Sequence, residues 1–596
     1  MKFFEKLKSK PKLFSTLILT AILILVFFVF LSCLSSSLVE WDDQFQITQN
    51  LDIKKINPHN LRKMFSTFYL GMYQPLATLS FALEYKFFHS SPLFLHLDNI
   101  LLHCLNIILV YCLSRQLFNK RSVALISSAL FAIHPLQVET IAWVSARSNL
   151  LSSFFCLITL ITYTHYSKKR TPLSYFSSLI LFSMSLMSKV ATVSLSPVLL
   201  FIDYLNKRPL NKTAWLEKLP FFALSITFGL IAIRSRGVNA LLPPINYSWL
   251  ERLLFVPYSF IFYIKKLIMP VDLSAYYGFP EVTNGWLPPI FYLSLVLFIL
   301  ALIFIWRYRR NRIVIFLPAF YCLLISPTLQ IKNFSTTLTA DRYAYLASLA
   351  YFWFLALMMI WLFKRFTRLK IWLMLSLIIF IGLTAYLAKM RTWIWFDSLS
   401  LWQDVIKNDP KVASVYSSLG NAESRQGNFD EAMKYYDQAK AIKPDDPFIY
   451  NNIGTALIKN KEDYAGAIEQ FNRAISLNPN EALFYYNRAN ILFKLKDLPS
   501  ALIDYQNAIN LSQGDSPYYY VYIGSLAKAQ YDLNLFAEAI KTYDRAIDLF
   551  ALSDAYYYRG LAKIKLNDLD GGCQDLKEAD KLENKEALGN IQSYCK

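Results

Sequence analysis

The chain of 596 residues is 55% hydrophobic and only 17% charged, so it is too apolar and too long for one soluble domain. Its formal charge of +19 would suit a nucleic-acid partner, but the basic residues cluster in short runs between apolar stretches. Such runs are typical of the cytoplasmic loops of membrane proteins. The composition therefore predicts a polytopic membrane protein and argues against nucleic-acid binding. The basic runs are Lys6 to Lys12, Lys168 to Arg170, Arg307 to Arg312 and Lys364 to Lys370.

The first 390 residues contain many apolar segments of the length that crosses a bilayer. We predict about eleven spans, with an uncleaved first helix and a cytoplasmic N-terminus. The stretch 249–268 is also apolar, but a crossing there would place Arg307 to Arg312 on the outer side, so we predict an interfacial or re-entrant helix. An odd number of spans then puts residues 390–596 outside the cytoplasm. The predicted spans are 13–35, 93–116, 122–137, 142–166, 173–190, 191–206, 215–234, 287–306, 312–329, 343–363 and 369–389.

Two adjacent acids, Asp42 and Asp43, lie shortly after the first span, in a long outer loop over residues 37–92. Ionised carboxylates are costly near a bilayer, so a pair at this depth usually coordinates, pairs or titrates. We predict that one of the two is a general base and that the other either orients it or raises its pKa by like-charge repulsion. The alternative role is a site for a divalent cation, Mg²⁺ or Mn²⁺, held by both carboxylates.

A second group of polar residues lies near the outer ends of later spans. Arginine binds phosphate as a bidentate fork, lysine as a point charge, and histidine as a switchable hydrogen-bond donor. The set predicts a site for a lipid-linked phosphate, whereas each residue alone is equally compatible with helix capping or a structural ion pair. The predicted phosphate ligands are His134, Arg147, Lys189 and Arg342, with Glu139 and Asp341 in support.

Beyond residue 390 the sequence repeats with a period of about 34 residues. Each unit has a small residue where two helices would approach closely, followed by a pair of alanines such as Ala432 with Ala439. The pattern predicts about five tetratricopeptide repeats and a C-terminal capping helix, whose concave groove would bind a peptide or protein. The equivalent small residues are Gly420, Gly454, Ala489, Gly524 and Gly560.

The chain is thus expected to be all-α, with a membrane helix bundle at 1–390, a linker at 391–409 and a repeat solenoid at 410–596. Cys573 and Cys595 lie in the last repeat and its capping helix. In an oxidising compartment we expect a disulfide between them, and otherwise two reduced, half-buried thiols.

Several motifs in one order resemble the transmembrane and tetratricopeptide-repeat containing family, whose relatives include the protein O-mannosyltransferases. The resemblance implies a GT-C glycosyltransferase fold that uses a polyprenyl-phosphate-linked sugar outside the cytoplasm. It also implies that the acidic dyad in the first outer loop of that family corresponds to Asp42 and Asp43. The motifs are Gln74 to Phe81, His96 to His103, His134 to Arg147, Asp341 to Leu346, and Trp402 leading into the repeats.

At such a site we expect a single displacement, which would invert the anomeric carbon and transfer the sugar to a hydroxyl of a protein or glycan acceptor that the repeats present. The chain departs from the family at Lys189, which is followed by Val190 where relatives tend to have an acidic residue. It also has fewer repeats than the long animal members, which favours a bacterial inner-membrane protein with periplasmic repeats. Two other classes stay open: a noncatalytic membrane-anchored repeat scaffold for envelope assembly, and a ligase or polymerase of lipid-linked glycans.

Overall fold

The computed structural model describes residues 11–238, 247–331, 336–512, 518–549 and 552–595. Within these ranges the regular structure is helical and contains no β-strand, so the predicted all-α class is confirmed. The chain divides into two compact units, Met1–Pro410 and Lys411–Lys596. Residues 1–10, which hold most of the first basic run, lie outside the described ranges.

The first unit is built from α-helices joined by loops, 3₁₀ turns and one π-helical turn, Gln44–Thr48. Several helices begin with proline, which is favoured in the first turn because its missing N–H has no intrahelical partner there. The helices are α1 Pro11–Phe30, α2 Pro58–Ser66, α3 Pro75–Phe88, α4 Pro92–Phe118, α5 Arg121–Ile133, α6 Val138–Ala142, α7 Arg147–Lys169, α8 Pro172–Ser188, α9 Leu195–Leu205, α10 Lys212–Leu216, α11 Leu219–Val238, α12 Trp249–Ile268, α13 Pro289–Arg307, α14 Arg312–Ile325, α15 Leu349–Arg365, α16 Lys370–Ile394 and α17 Ser398–Asn408.

Six helical segments of the described residues are long and apolar enough to cross a membrane, and a seventh counts if α5 and the bent segment Pro135–Ala142 form one span. These helices are those of an integral membrane protein. Fewer segments reach full length than the sequence predicts, because 3₁₀ turns and bends interrupt several apolar stretches. The six are Lys12–Ser35, Pro92–Phe118, Val144–Lys169, Lys212–Ser235, Pro289–Arg307 and Thr367–Ile394.

Helix α12, over the stretch expected to be interfacial or re-entrant, is not among these six segments. It begins at a capping box in which Ser248 and Glu251 bond each other's backbone N–H, and it carries Lys265 and Lys266 in its last turn. Charged residues at both ends of an apolar helix are compatible with a helix in the membrane interface. Its expected position stays a prediction.

Residues 391–409, expected to be a linker, instead belong to the first unit. Helix α17 begins after Asp397, whose side chain accepts a hydrogen bond from Ser400 N at 2.8 Å. Arg391 at the end of α16 pairs with Asp404 of α17 at 2.5 Å, and Trp402 is buried. Tertiary contacts therefore fix this segment, and the boundary between the units falls at Pro410.

The second unit consists, in its described residues, of five consecutive pairs of helices and one final helix. Its core is formed by the small and aromatic residues that the repeat pattern picks out, so the predicted repeat solenoid is confirmed. The helices are α18 Ala413–Gln426, α19 Phe429–Ile442, α20 Pro447–Lys461, α21 Tyr464–Leu477, α22 Ala482–Lys494, α23 Leu498–Leu511, α24 Tyr519–Asp532, α25 Phe536–Leu549, α26 Ser553–Lys565, α27 Leu569–Lys581 and α28 Ala587–Tyr594.

Two of the repeat glycines allow an aromatic ring to pack directly on the helix backbone. A Cβ at Gly420 would lie 2.5 Å from the Tyr436 ring, and one at Gly454 would lie 2.8 Å from the Phe471 ring. At Gly524, by contrast, no described atom lies within 4 Å of the Cβ position. The small residue is therefore required for packing in the first two repeats, and not at position 524.

We expect Gly420→Ala and Gly454→Ala to lower the free energy of unfolding of the repeat unit by about 1–3 kcal/mol, because the added methyl overpacks a filled interface. Gly524→Ala is the matched control. It should leave stability unchanged or raise it by up to about 1 kcal/mol, because alanine favours the helix. Denaturant unfolding of the purified full chain, followed by circular dichroism, measures all three, and equal effects at the three positions would contradict the packing role.

Candidate functional site

A cavity of about 490 Å³ in the first unit collects residues that are far apart in the sequence. Its lining includes Asp42 from the first loop, Trp143, Lys189 and Arg342. Lys189 directly precedes the 3₁₀ turn Val190–Ser194, and Arg342 lies within the 3₁₀ turn Asp341–Ala344. The interruptions in the apolar helices thus place polar residues at this cavity. It brings together one of the two predicted acids and two of the four predicted phosphate ligands.

Asp43 is buried and fastens the first loop to the segment before α7. Its Oδ1 accepts hydrogen bonds from the backbone N of Ser145 at 3.0 Å and from the Ser145 hydroxyl, and its Oδ2 accepts one from Val39 N at 2.9 Å. Burial raises the pKa of Asp43 to about 6, although these hydrogen bonds oppose the rise. Both carboxylate oxygens are engaged, so Asp43 holds the loop while Asp42 faces the cavity.

The residues present do not fit a cation chelated by the Asp42 and Asp43 carboxylates together. Mg²⁺ and Mn²⁺ prefer several oxygen ligands, and the oxygens of Asp43 are already bonded to protein donors. Across the described part of the chain, no group of three or more His, Cys, Asp or Glu side chains is arranged to hold a metal. We therefore derive no step through a metal ion.

Arg342 is held at the cavity wall by an acid and two indole rings. Its guanidinium pairs with Glu139, whose Oε2 also accepts a hydrogen bond from Arg342 N at 2.9 Å. The guanidinium carbon lies 5.0 Å from the ring centre of Trp143 and 5.8 Å from that of Trp41. Glu139 and the rings therefore orient the Arg342 side chain, since a cation is attracted to an aromatic face.

Four tryptophans form a continuous set of ring contacts at this wall. Trp41 stacks on Trp143 with ring centres 4.8 Å apart, and Trp143 stacks on Trp395 at 5.9 Å. Trp402 of α17 contacts Trp41 at 5.2 Å. The segment expected to be a linker therefore packs behind the cavity wall, where Trp402 contacts Trp41 beside Asp42. These tryptophans were not predicted as site residues, although Trp143 and Trp402 lie in the motifs that carry the family resemblance.

His134 and Arg147, predicted as phosphate ligands, do not line this cavity. His134 is buried, its Nε2 donates to Leu267 O at 3.1 Å, and its Nδ1 accepts from Leu136 N at 3.3 Å. Arg147 is buried in an ion pair with Glu84 and donates to Asn99 Oδ1 at 2.9 Å and to Leu95 O at 2.7 Å. Their polar atoms serve the fold, because buried backbone and carboxylate groups require partners.

Asp341, predicted in a supporting role, also lies outside the cavity lining. It is buried, and its Oδ1 accepts a hydrogen bond from the Tyr277 hydroxyl at 2.9 Å. Burial raises the pKa of Asp341, and the nearby charge of Glu139 adds to the rise. Asp341 thus anchors the turn that carries Arg342.

Parts of both units match models of known protein families. Residues 74–235 match the family model described as dolichyl-phosphate-mannose-protein mannosyltransferase. Residues 413–446, 459–496 and 525–582 match models of the tetratricopeptide repeat. Together with the curated relatives described next, these matches confirm the predicted resemblance to the transmembrane and tetratricopeptide-repeat containing family. Within the matched mannosyltransferase segment lie Trp143 and Lys189, whereas Asp42 and Arg342 lie outside it.

Two curated relatives from this family illustrate the similarity. The protein O-mannosyl-transferase F38B6.6 of Caenorhabditis elegans is 26% identical over 448 residues, which cover 70% of this chain and 61% of the relative. The human protein O-mannosyl-transferase TMTC3 is 25% identical over 549 residues, covering 80% of this chain and 57% of the relative. The chain therefore spans about three fifths of the length of these family members.

The repeat unit also resembles solved structures. One is the crystal structure of YrrB, a TPR protein with an unusual peptide-binding site, which is 18% identical. The match covers 97% of that protein and 32% of this chain, with a TM-score of 0.28.

Proposed function

We propose that the chain is a membrane glycosyltransferase that moves a sugar from a polyprenyl phosphate to a hydroxyl of a protein acceptor. Relatives that carry the name protein O-mannosyl-transferase support mannose as the first sugar to test. The observation that carries the proposal is the shared cavity, in which one acid, Asp42, lies with the cations Lys189 and Arg342 and with two tryptophans.

Asp42 is the general base in this proposal. The acceptor hydroxyl gives its proton to the Asp42 carboxylate while its oxygen forms a bond to C1 of the sugar. The bond between C1 and the phosphate oxygen breaks, and polyprenyl phosphate leaves with the electron pair. A single displacement of this kind inverts the anomeric carbon.

Lys189 and Arg342 stabilise the leaving phosphate. That group is already an anion, so it needs cations and hydrogen-bond donors and no general acid. Glu139 keeps the Arg342 guanidinium in place, and Asp43 keeps the loop of Asp42 in place through Ser145 and Val39. His134 and Arg147 have no part in the step, because their donors are bonded within the protein.

The repeat unit recruits the protein acceptor in this proposal. A stack of helix pairs offers a long concave surface, and a tethered binding module raises the local concentration of its ligand. Deletion of residues 411–596 should therefore lower transfer to a natural acceptor and leave binding of the lipid-linked donor unchanged. Equal transfer by the full and the truncated chain would remove the recruiting role.

The proposed transfer is tested by incubating the purified full chain with radiolabelled polyprenyl-phosphate sugars and a membrane extract. Label in a polypeptide, absent with an Asp42→Asn chain, is the expected result. Label in a lipid-linked glycan would favour the ligase or polymerase class instead. Absence of labelling with every donor would contradict the transferase proposal and favour a scaffold.

We further propose that the acidic loop and the repeats lie on the same, non-cytosolic side of a bacterial inner membrane. The basic runs between the apolar helices support this orientation, because such runs stay in the cytoplasm. Labelling of single cysteines introduced in intact cells measures it directly, at position 55, which is exposed in the same loop, and at position 500. Labelling that places the two positions on opposite sides would exclude a site served by both units.

The disulfide between Cys573 and Cys595 gives a second test of this location. Their Cα atoms lie 5.6 Å apart across a sequence separation of 22 residues. Such bonds persist in oxidising compartments, and closing a loop of this length stabilises a protein by about 3 kcal/mol in the chain-entropy model. We expect a bonded pair in cells quenched with maleimide, and a reductant should lower the unfolding free energy of the repeat unit by about that amount.

The double variant Cys573→Ser/Cys595→Ser is the control for the disulfide, because a reductant should leave its stability unchanged. Free thiols at both positions in quenched cells would contradict the non-cytosolic location of the repeats.

A further inference from the structure

A second cavity, also of about 490 Å³, lies where α4 and α7 end and α8 begins. Both α4 and α7 belong to segments long enough to cross a membrane. Asn149, near the start of α7, lines the Asp42 cavity, whereas His165, near the end of α7, lines the second one. A helix rises about 1.5 Å per residue, so these two residues are roughly 24 Å apart. The second cavity is therefore a separate site at the other end of the helix.

The lining of the second cavity changes in character along the helix axes. Arg115 and His165 lie towards the ends of α4 and α7, which reach the membrane surface. Cys112 precedes Arg115 and Ile161 precedes His165, so these two side chains lie roughly 4–6 Å deeper along the helices. The cavity is therefore apolar in its deeper part and basic at its rim.

Arg115 is half-buried at this rim and has no carboxylate partner among the described residues. Its guanidinium donates to Asn119 Oδ1 at 2.8 Å, which is a neutral amide. The buried Arg147, by contrast, pairs with Glu84 in the same unit. A cation beside apolar surface is costly without a counter-ion, and such charges in folded proteins are usually paired. The charge of Arg115 therefore favours an anion in the cavity.

A second cation is held beside the cavity at the end of α7. Lys168 Nζ donates to Gln116 O at 2.7 Å, and Gln116 itself lines the cavity. Glu217, an acid that approaches the same helix end, is already paired with Arg170 at 2.9 Å. This end of the helices thus carries an excess of positive charge, as the cytoplasmic ends of membrane helices do.

We propose that the second cavity binds an anionic phospholipid of the cytoplasmic leaflet. Arg115 and His165 contact the lipid phosphate, and one acyl chain covers Cys112 and Ile161. A free phosphate would use the cations but leave the deeper, apolar part of the cavity empty. A zwitterionic lipid would fill that part but has no net charge to offset the cations, whereas basic pockets between membrane helices suit anionic headgroups. The site does not depend on the proposed sugar transfer.

The test uses the thiol of Cys112, which is the exposed one among the free cysteines of the described residues. The purified full chain in detergent is treated with N-ethylmaleimide in the presence of phosphatidylglycerol or of phosphatidylcholine with the same acyl chains. Peptide mass spectrometry measures the labelling rate of each cysteine. Phosphatidylglycerol should slow labelling of Cys112 at concentrations at which phosphatidylcholine has little effect. Cys322 is half-buried and outside the cavity lining, so its rate should be the same with both lipids.

Arg115→Gln should raise the phosphatidylglycerol concentration that halves the labelling rate by about fivefold, the effect of one basic residue near an anionic membrane surface. His165→Leu, a second variant that removes a hydrogen-bond donor, should raise it by about threefold. Arg310→Gln is the matched control, because it removes the same charge from an exposed position in another basic run, outside the cavity lining. It should leave the protection of Cys112 at the wild-type value. Thermal unfolding in detergent shows that each variant is folded.

Three results would each overturn the inference. Equal protection of Cys112 by the two lipids would mean that the cavity only accommodates acyl chains. Equal weakening by Arg310→Gln and Arg115→Gln would mean that the whole basic face attracts the lipid and the cavity does not. Protection by inorganic phosphate alone, as strong as that by phosphatidylglycerol, would assign the cavity to a soluble anion.

Discussion

Asp42→Asn should reduce sugar transfer by about 10²–10⁴-fold, the usual contribution of a general base. The amide keeps the shape of the side chain but cannot accept the proton of the acceptor hydroxyl. Because Asp42 lies at the cavity surface and not in the core, the yield and thermal stability of the purified chain should stay at wild-type values. Binding of the lipid-linked sugar should also persist, since Lys189 and Arg342, which bind the phosphate in our proposal, are untouched. Single-turnover transfer assays, with donor binding measured in parallel, check both parts.

Asp43→Asn is the matched control, one residue away. An amide cannot accept hydrogen bonds at both atoms, so its NH₂ group must face either Val39 N or the Ser145 donors. We expect a loss of about 1–3 kcal/mol in stability, which is the cost of an unpaired buried group. Any fall in transfer should follow the fraction of folded protein. A wild-type rate in Asp42→Asn would refute the base assignment. If a stable Asp43→Asn chain lost transfer, Asp43 would be the general base and the assignment of Asp42 would be wrong.

The sequence predicts the acidic pair but not which acid faces the cavity. The two acids are adjacent in the sequence, so no local pattern distinguishes their roles. The structural difference is the hydrogen bond from Ser145 to Asp43, and Ser145 lies 102 residues further along the chain. A contact of that range leaves no local pattern.

Local periodicity, by contrast, predicts the solenoid well, because each repeat packs mainly on its neighbours and the small residues recur at fixed spacing. The membrane unit is predicted less well. A hydropathy window measures average apolarity and does not detect a 3₁₀ turn, so hydropathy alone assigns the residues of the turn Val190–Ser194 to two membrane spans, 173–190 and 191–206. That break is functional in our proposal, because it brings Lys189 to the cavity.

Arg147 is a charged residue whose partner the sequence does not reveal. The sequence predicts a lipid phosphate as its partner, whereas the structure pairs it with Glu84 of α3, and the two side chains are only 1% and 3% exposed. Burial raises the pKa of Glu84, and the charge of Arg147 opposes that rise. The guanidinium also lies 4.5 Å from the ring centre of Phe81. These contacts join the first outer loop to the start of α7.

Arg147→Met should therefore destabilise the membrane unit by about 3–5 kcal/mol, because it leaves the Glu84 carboxylate buried without its counter-ion. The measurement is the thermal unfolding and the yield of monodisperse chain in detergent. The double variant Glu84→Met/Arg147→Met should recover most of the loss, since a buried ion pair replaced by apolar residues of similar volume is often neutral. If the Arg147→Met chain kept wild-type stability but bound polyprenyl phosphate more weakly, Arg147 would be a phosphate ligand and not a structural partner of Glu84.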